Sequence, residues 1–580
     1  METSEKLITE NLDVWTSAVK TRSSAGRGSS KKRELYGIRR LRELILELAV
    51  CGFLVPQDSA DEPASELLNQ YAKAKTKLIK DAEIKKPKPV PPLERNSQSE
   101  VPEGWAEAQL TNIALVDMGN SPPGSTYNET GDGVPLINGP VEFSRGHFGK
   151  TIKAKYTTAP NVVCDEGDIL VCVRGATTGR TNIADFPACI GRGVARVQAL
   201  GSQEFVNLLM WENQNKLLAK GTGTTFPSIS YKDLAGHSLL LPPLAEQHRI
   251  VAKVDELMAL CDQLEQEQES SIAAHDTLVA TLLNALTETT AFAEAWERIQ
   301  ANFDTLFTTE SSIDQLKQTI LQLAVMGKLV EQDPEDEPAA ELLDRIAAEK
   351  AKLIKEKKIK KQKALAAITQ EEEPYTVPER WKWCRLGDVS LSSDSGWSPQ
   401  CDPQPRDNEE QWGVLKVSAV SWGLFRPDEH KKLPAGKEAR PEAEVKSGDF
   451  LLSRANTEEL VARGVIVGQT PPKLMMSDKI VRFLISDHTL KEFVNLVNAS
   501  SSSREHYIGN SSGTSSSMKN VSRETMSNLP IPLPPLAEQH RIVAKVDELM
   551  ALCDQLKASL ATAQATQLNL ADSLVEQAVT

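Results

Sequence analysis

Apolar residues along this chain fall into two periods, and the switch between them happens twice. From Leu41 to Leu54 and from Ile313 to Leu329 they recur at i, i+3, i+4 and i+7, the stripe of an amphipathic helix. Glu66 to Lys86 and Glu341 to Lys363 keep a helical pattern but grow lysine-rich. Such runs mark solvated helix faces and linkers, with phosphate contact as the functional alternative. The longest helical patterns begin after Pro242-Pro243 and Pro534-Pro535. In the first, Ile250, Val254, Leu257, Cys261 and Leu264 are spaced 4, 3, 4, 3, a heptad seam. The register continues through polar Gln268, Ser271 and His275 to Leu278, Leu282 and Ala285. The second runs Ile542, Val546, Leu549, Cys553, Leu556, Leu560, Ala563, Leu570 and Leu574. Helices of about 40 residues are about 60 Å long. This pattern predicts long rods packed antiparallel on partner helices. Leu536 to Ala578 would find its mate near the N-terminus, and Leu244 to Leu286 near 313–355. On the seam, His275 reads as a register-setting polar residue, and Cys261 and Cys553 as small core residues.

Between the helical stretches the period shortens. Ala114–Val116, Val134–Asn138, Asp168–Val173 and Val194–Leu200 read as strands, as do Val414–Val420, Asp449–Ser453, Val465–Val467 and Ile480–Ile485. Gly167-Asp168-Ile169-Leu170 corresponds to Gly448-Asp449-Phe450-Leu451, a turn before a buried strand.

The chain is also written twice. Leu241 to Leu264 (LPPLAEQHRIVAKVDELMALCDQL) returns as Leu533 to Leu556, 24 identities in a row at an offset of 292. ILELAVCGFLV (Ile45–Val55) returns as ILQLAVMGKLV (Ile320–Val330), and DEPA at Asp61 returns at Asp336. KLIK returns at Lys352, and Val101-Pro102-Glu103-Gly104-Trp105 returns as Val377-Pro378-Glu379-Arg380-Trp381. Between about 110 and 220, and between about 387 and 510, the likeness almost vanishes. Drift after duplication erodes a sequence evenly. Frames held alike around unlike inserts point to two sites of one kind with different specificities.

Composition narrows the class. The 580 residues are 40% hydrophobic and 25% charged, enough to bury real cores. No membrane-span-length apolar run and no signal-peptide pattern is read, so a cytoplasmic protein is expected. The eight cysteines form no CxxC pair, so neither a zinc site nor a disulfide framework is expected. A net charge of −14 argues against nonspecific coating of nucleic acid, but local basic surfaces are compatible with it. Basic and small polar residues gather on the insert loops. The first insert offers Arg174, Thr177, Thr178 and Arg180, then Arg192 and Arg196, then Lys220, Thr222, Thr224 and Thr225. The second offers Arg454, Asn456 and Arg463, then Arg504, Thr514, Lys519 and Asn520. These residue types read base edges or hold phosphates. No Walker A loop, nucleophile elbow or HExxH is found, and Ser121-Pro122-Pro123-Gly124 lacks the aromatic of an adenine-methyltransferase loop. No catalytic constellation or metal site is assigned.

The two VPExW segments, the divergent inserts, the LPPLAEQxRIV exits and the heptad helices together resemble the specificity subunit of type I restriction–modification systems (HsdS). The resemblance runs from about residue 35. It implies an α+β fold in which two α/β target recognition domains are separated by long antiparallel coiled-coil helices, with a pseudo-twofold internal repeat. The division would be a flexible lead-in (1–34), an N-terminal helical segment and linker (35–100), recognition domain 1 (101–240), central helices and linker (241–376), recognition domain 2 (377–532) and a C-terminal helix (533–580). It implies reading of a bipartite, asymmetric site in double-stranded DNA, one half per domain, with no cofactor on this chain. Two modification subunits would carry S-adenosylmethionine and methylate adenine N6, and restriction subunits would use ATP and Mg2+. The modification subunits would meet Leu244, Glu246, Gln247, Arg249 and Ile250, and Leu536, Glu538, Gln539, Arg541 and Ile542. Two alternatives stay open: a non-catalytic protein-interaction scaffold, or an orphan regulatory paralogue.

Overall fold

A computed structural model describes residues 2–23, 31–93, 101–144, 149–175, 177–221, 227–288, 292–421, 423–513 and 518–579. The chain forms two compact units. The first holds the described residues up to Ser270 and those from Gln564 on. The second holds Ser271–Ala563. Each unit contains one recognition domain, flanking short helices and part of both long helices, Leu244–Glu288 and Leu536–Val579.

In the first unit, helix Tyr36–Cys51 buries Leu41, Leu44, Ile45 and Leu48 in one core with Ile250, Val254 and Cys261 of the first long helix and Ala571 and Val575 of the second. Each fully buried aliphatic side chain is worth about 1.5–3 kcal/mol. Ion pairs rim this core: Arg42 reaches Asp262 (2.5 Å) and Glu265 (2.7 Å), and Arg40 reaches Asp572 (2.9 Å). In the second unit, helix Glu310–Val325 does the same with Ile542, Val546 and Cys553, and with Val279, Leu283 and Leu286. Lys557 pairs with Asp314 at 2.5 Å, and Lys317 pairs with Asp554. In each unit, then, one short helix packs against segments of both long helices.

The heptad register does not persist. Leu278 and Leu570 are 50% and 48% exposed, whereas Val279 and Ala571 are buried. The spacing from Cys261 to Val279, and from Cys553 to Ala571, is 18 residues, which is five turns at about 3.6 residues each. A strict heptad needs underwinding to 3.5. Through the middle only partly buried residues such as Leu264, Leu556, Leu560 and Leu568 touch the cores, and full burial resumes at the natural helical period.

Within the stretch expected to be a flexible lead-in (1–34), the described residues 2–23 and 31–34 take up regular structure. Helices Glu2–Thr9 and Leu12–Ser17 are followed by paired strands Lys20–Ser23 and Lys31–Glu34. Ile8, Trp15 and Ala18 join the core of the first unit. Gly37 lies against the Trp15 carbonyl, where a Cβ would come within 2.2 Å, so only glycine fits.

The two inserts share a topology that their sequences do not display. In the first, an antiparallel sheet runs in the order Thr181–Ile183, Ile169–Cys172, Val194–Ala199, Ala114–Met118. In the second the equivalent order is Gly464–Ile466, Phe450–Ser453, Ile480–Ile485, Ser390–Ser395. The central strand is buried on both faces. Ile169 and Val171 face the helical core, while Leu170 and Cys172 face a second sheet. That second sheet has five strands in domain 1 and three in domain 2. Val414–Val420 is strand only over Gly413–Leu415 and then turns through Val417–Ala419. Both domains close at their base with a two-stranded ladder: Ala106–Gln109 with Ser238–Leu241, and Lys382–Arg385 with Pro530–Leu533. Among the described residues no helix is long and apolar enough to cross a membrane.

Where helix Gln203–Glu212 approaches Tyr36–Cys51, Glu212 carries a titration signature. Burial pushes its carboxyl up to about 7; Lys216 opposes this, and Glu47 and Glu43 add to it. An acid raised from 4.5 in the folded state contributes stability that is complete below pH 4.5 and is lost as pH climbs through about 7. Glu212→Gln should therefore lose less melting temperature than the parent between pH 5 and pH 8. Identical losses in both proteins, measured by thermal circular dichroism, would remove Glu212 as the cause.

Candidate nucleic-acid interface

The repeated motifs build one latch under each recognition domain. The Trp105 indole N–H donates to Glu246 Oε2 at 3.0 Å, and Trp381 donates to Glu538 at 2.9 Å. Gln247 Nε2 donates to the Pro242 carbonyl at 2.9 Å, and Gln539 to that of Pro534 at 3.0 Å. Arg249 pairs with Asp61 (2.7 Å) and Arg541 with Asp336 (2.6 Å). The chemistry follows from the prolines. A Pro-Pro start leaves a buried carbonyl before the helix, and the glutamine one turn in satisfies it. Gly52 (φ +81°) and Gly327 (φ +70°) end the preceding helices in the left-handed region, and a Cβ there would strike Pro102 or Pro378. Burial raises the carboxyls of Glu246 and Glu538 above their ordinary range, and the indole N–H groups pull them back down.

This arrangement corrects the expected partner surface. Glu246, Gln247, Ile250, Glu538, Gln539 and Ile542 are all at most 1% exposed. The glutamates and glutamines close the latch from inside, and Ile250 and Ile542 sit in the apolar cores. Leu244 is 38% exposed, and Leu536, Arg249 and Arg541 are half-buried.

Above each latch, two stretches far apart in sequence come together. In domain 1 the loop after the central strand meets the segment before the last short helix. Arg174 bridges Ser228, Gly175 N–H donates to Pro227 O at 2.9 Å, and Ile229 N–H donates to Val173 O at 3.1 Å. In domain 2 Ala455 and Asn456 pair with Asn520 and Lys519, and Val521 N–H donates to Arg454 O at 3.0 Å. The fold thus gathers Arg174 and Thr177 on one domain, and Arg454, Asn456, Lys519 and Asn520 on the other. Thr222, Thr224, Thr225 and Thr514 lie outside the described residues.

Several predicted contacts are spent internally. Arg196 is held by Asp168 (2.5 Å) and Asp165 (2.8 Å) with its side chain 15% exposed, so it faces its own sheet rather than a ligand. Its counterpart Arg482, absent from the sequence reading, pairs with Asp394 (2.8 Å) and Asp449 (3.1 Å). The signal was the repeated Gly-Asp, whose aspartates anchor these arginines. Thr178 is buried and donates to Gly175 O and Pro227 O, both within 2.9 Å. Arg180 donates to the Ser144 carbonyl at 2.8 Å. Arg463 Nε donates to Glu459 O at 2.9 Å. Arg504 stacks on Tyr507 at 5.1 Å, and its guanidinium nitrogens are buried without a hydrogen-bond partner. Burial and the neighbouring Arg463 push it down to about 10. Lys220 Nζ lies 3.2 Å from His237 Nδ1, and burial together with Lys220 lowers that imidazole to about 4, so it stays neutral. Arg192 remains exposed. Arg440, which its sequence context does not single out, lays its guanidinium over the Trp397 ring at 4.5 Å.

Comparison with known proteins follows the same outline. The family model described as the type I restriction modification DNA specificity domain matches residues 102–274 and 435–563. The EcoEI specificity subunit of type I restriction enzymes from Escherichia coli is 42% identical over 99% of both chains. The EcoAI specificity subunit, also from Escherichia coli, is 37% identical over 99% of both. A specificity subunit assigned to MjaX in Methanocaldococcus jannaschii is 34% identical over 33% of this chain and 45% of its own. With its doubled latch, its two recognition domains and full-length likeness to these relatives, the chain belongs to the specificity subunits of type I restriction enzymes.

Proposed function

We propose that each recognition domain reads one half of a bipartite, asymmetric site in double-stranded DNA, and that the long helices set the spacing between the halves. The observation that carries this reading is the latch built twice, with the same Trp–Glu, Gln–carbonyl and Arg–Asp contacts, beneath two domains whose loop residues differ. Identical seats under unlike faces support two readers of one type with separate targets. The chain itself supplies no chemistry. Modification subunits carrying S-adenosylmethionine methylate adenine N6 at the site it selects, and restriction subunits use ATP and Mg2+, in the cytoplasm where the DNA lies.

The duplication also supports two copies of one modification partner. Ala245, His248, Ala252 and Asp255 are exposed on the first long helix, and the identical Ala537, His540, Ala544 and Asp547 are exposed on the second. The latch and the core make no use of them, so a repeated external contact accounts for their identity better than folding does. A methylation map of the host genome tests the whole reading. It should hold a two-part motif with N6-methyladenine in both halves, lost when this gene is deleted. A genome whose adenine methylation is unchanged by the deletion rules the reading out.

A further inference from the structure

Six lysines recur at matched positions just ahead of the two recognition domains. Lys85, Lys86 and Lys88 correspond, 275 residues on, to Lys360, Lys361 and Lys363. All six are exposed. Among the described residues only Lys363 faces a carboxylate, that of Glu524 at 3.8 Å, and both of those side chains are largely in solvent. Capping of a helix dipole does not account for them. The preceding helices end at Lys80 and Lys355, and a dipole acts only within the last turn.

Nor do these segments hang free. In the first unit Gln109 Nε2 donates to Pro91 O at 2.9 Å, and Lys75 Nζ donates to Ala114 O at 3.2 Å. In the second unit Gln362 Nε2 donates to Leu391 O at 3.0 Å, Arg385 Nε to Ala366 O at 3.2 Å and Lys350 Nζ to Asp388 O at 2.8 Å. Both segments are therefore tied along the flank of a recognition domain, by Gln109 and Arg385 from the domain side and by Lys75, Lys350 and Gln362 from the helix and linker side. Each run holds three like charges within four residues, on a chain whose net charge is −14. Their mutual repulsion is relieved by a ligand with regularly spaced negative charge.

We infer that each run is a seat for the sugar-phosphate backbone of duplex DNA beside the half-site its domain reads. The inference rests on the proposed DNA-reading function and adds to it a contact outside the recognition loops, one that supplies affinity without sequence information.

The test uses the full chain in complex with its modification subunits. Lys85→Gln, Lys86→Gln and Lys88→Gln are combined with Lys360→Gln, Lys361→Gln and Lys363→Gln. Binding is measured by fluorescence anisotropy from about 50 to 200 mM KCl, the range over which phosphate contacts reveal themselves. The probes are a duplex carrying the mapped motif and a scrambled duplex of equal length. Each neutralised phosphate contributes about 0.9 to the slope of log K against log salt, so the sixfold variant should lose about 5 from that slope. Both duplexes should weaken by the same factor, and the methylated motif should not change. An unaltered slope overturns the lysine assignment, all the more if the variant sheds its protein partners, which would mark the runs as seats for an acidic protein. A parent complex that does not distinguish the two duplexes overturns the DNA-reading function beneath it.

Discussion

Trp105→Ala should destabilise the first unit by about 4 kcal/mol or more, the usual cost of removing a buried tryptophan plus that of an orphaned carboxyl. Trp105 is 7% exposed and its indole donates to Glu246, whose other oxygen, Oε1, has no partner. The milder Trp105→Phe separates packing from hydrogen bonding. It keeps the apolar bulk and leaves Glu246 without a hydrogen bond. Trp381→Phe does less harm, because Gln332 Nε2 still donates to Glu538 at 2.6 Å. The difference should be about 1–2 kcal/mol, the cost of one unsatisfied buried polar group. Urea unfolding followed by far-UV circular dichroism, with hydrogen exchange to assign the loss to a unit, measures it. Equal losses in the two phenylalanine variants would show that the indole bond is not what the latch depends on.

The pH dependence of this deficit has a definite sign. Burial already raises the Glu246 carboxyl, and the indole opposes that rise. Without the indole the folded-state value climbs further above 4.5. A carboxyl raised on folding loses its stabilising contribution as pH rises through that window. The Trp105→Phe deficit should therefore be greatest at neutral pH, shrink as pH falls through the raised folded-state values, and reach its minimum by about pH 4.5.

Removing seven residues from the middle of both long helices, 266–272 and 558–564, should leave a folded protein that selects a shorter site. Seven residues are nearly two turns, so the apolar faces on either side of the deletion stay within about 20° of their original phase. Cys261 and Val279, and Cys553 and Ala571, remain on one stripe. Each helix shortens by about 10 Å at 1.5 Å per residue. The tolerated spacer should fall by up to three base pairs at about 3.4 Å each. Removing five residues instead turns the faces by about 140° and should break the cores. Methylation mapping in cells carrying each variant reads both outcomes. An unchanged spacer in the folded seven-residue variant would show that the long helices do not set the spacing.

Much of this was legible in the residues, and the reasons are local. Pro-Pro before a helix, a lysine-rich run after one and alternating strands each act within a few positions, so the helices and most strands fall where the periods put them. Exact repetition marked the frame, because 24 residues are identical while the inserts around them differ. The candidate interface was legible by residue type but not by orientation. Arg196 and Arg174 look alike in the sequence, yet one is clamped by Asp165 and Asp168 and the other is exposed. Pairing of that kind depends on neighbours about 30 positions away.

By itself, then, the sequence determined the periods, the doubled frame and the absence of known catalytic motifs, since these depend on neighbours along the chain. Only the tertiary structure decided that Glu246 and Gln247 face inward, that Trp15 anchors the N-terminus, that the seam resumes at Val279 rather than Leu278, and that two dissimilar inserts share one sheet order. The physical reason is the same for each: which face of a helix or strand is buried depends on what packs against it, and those partners lie far away in sequence.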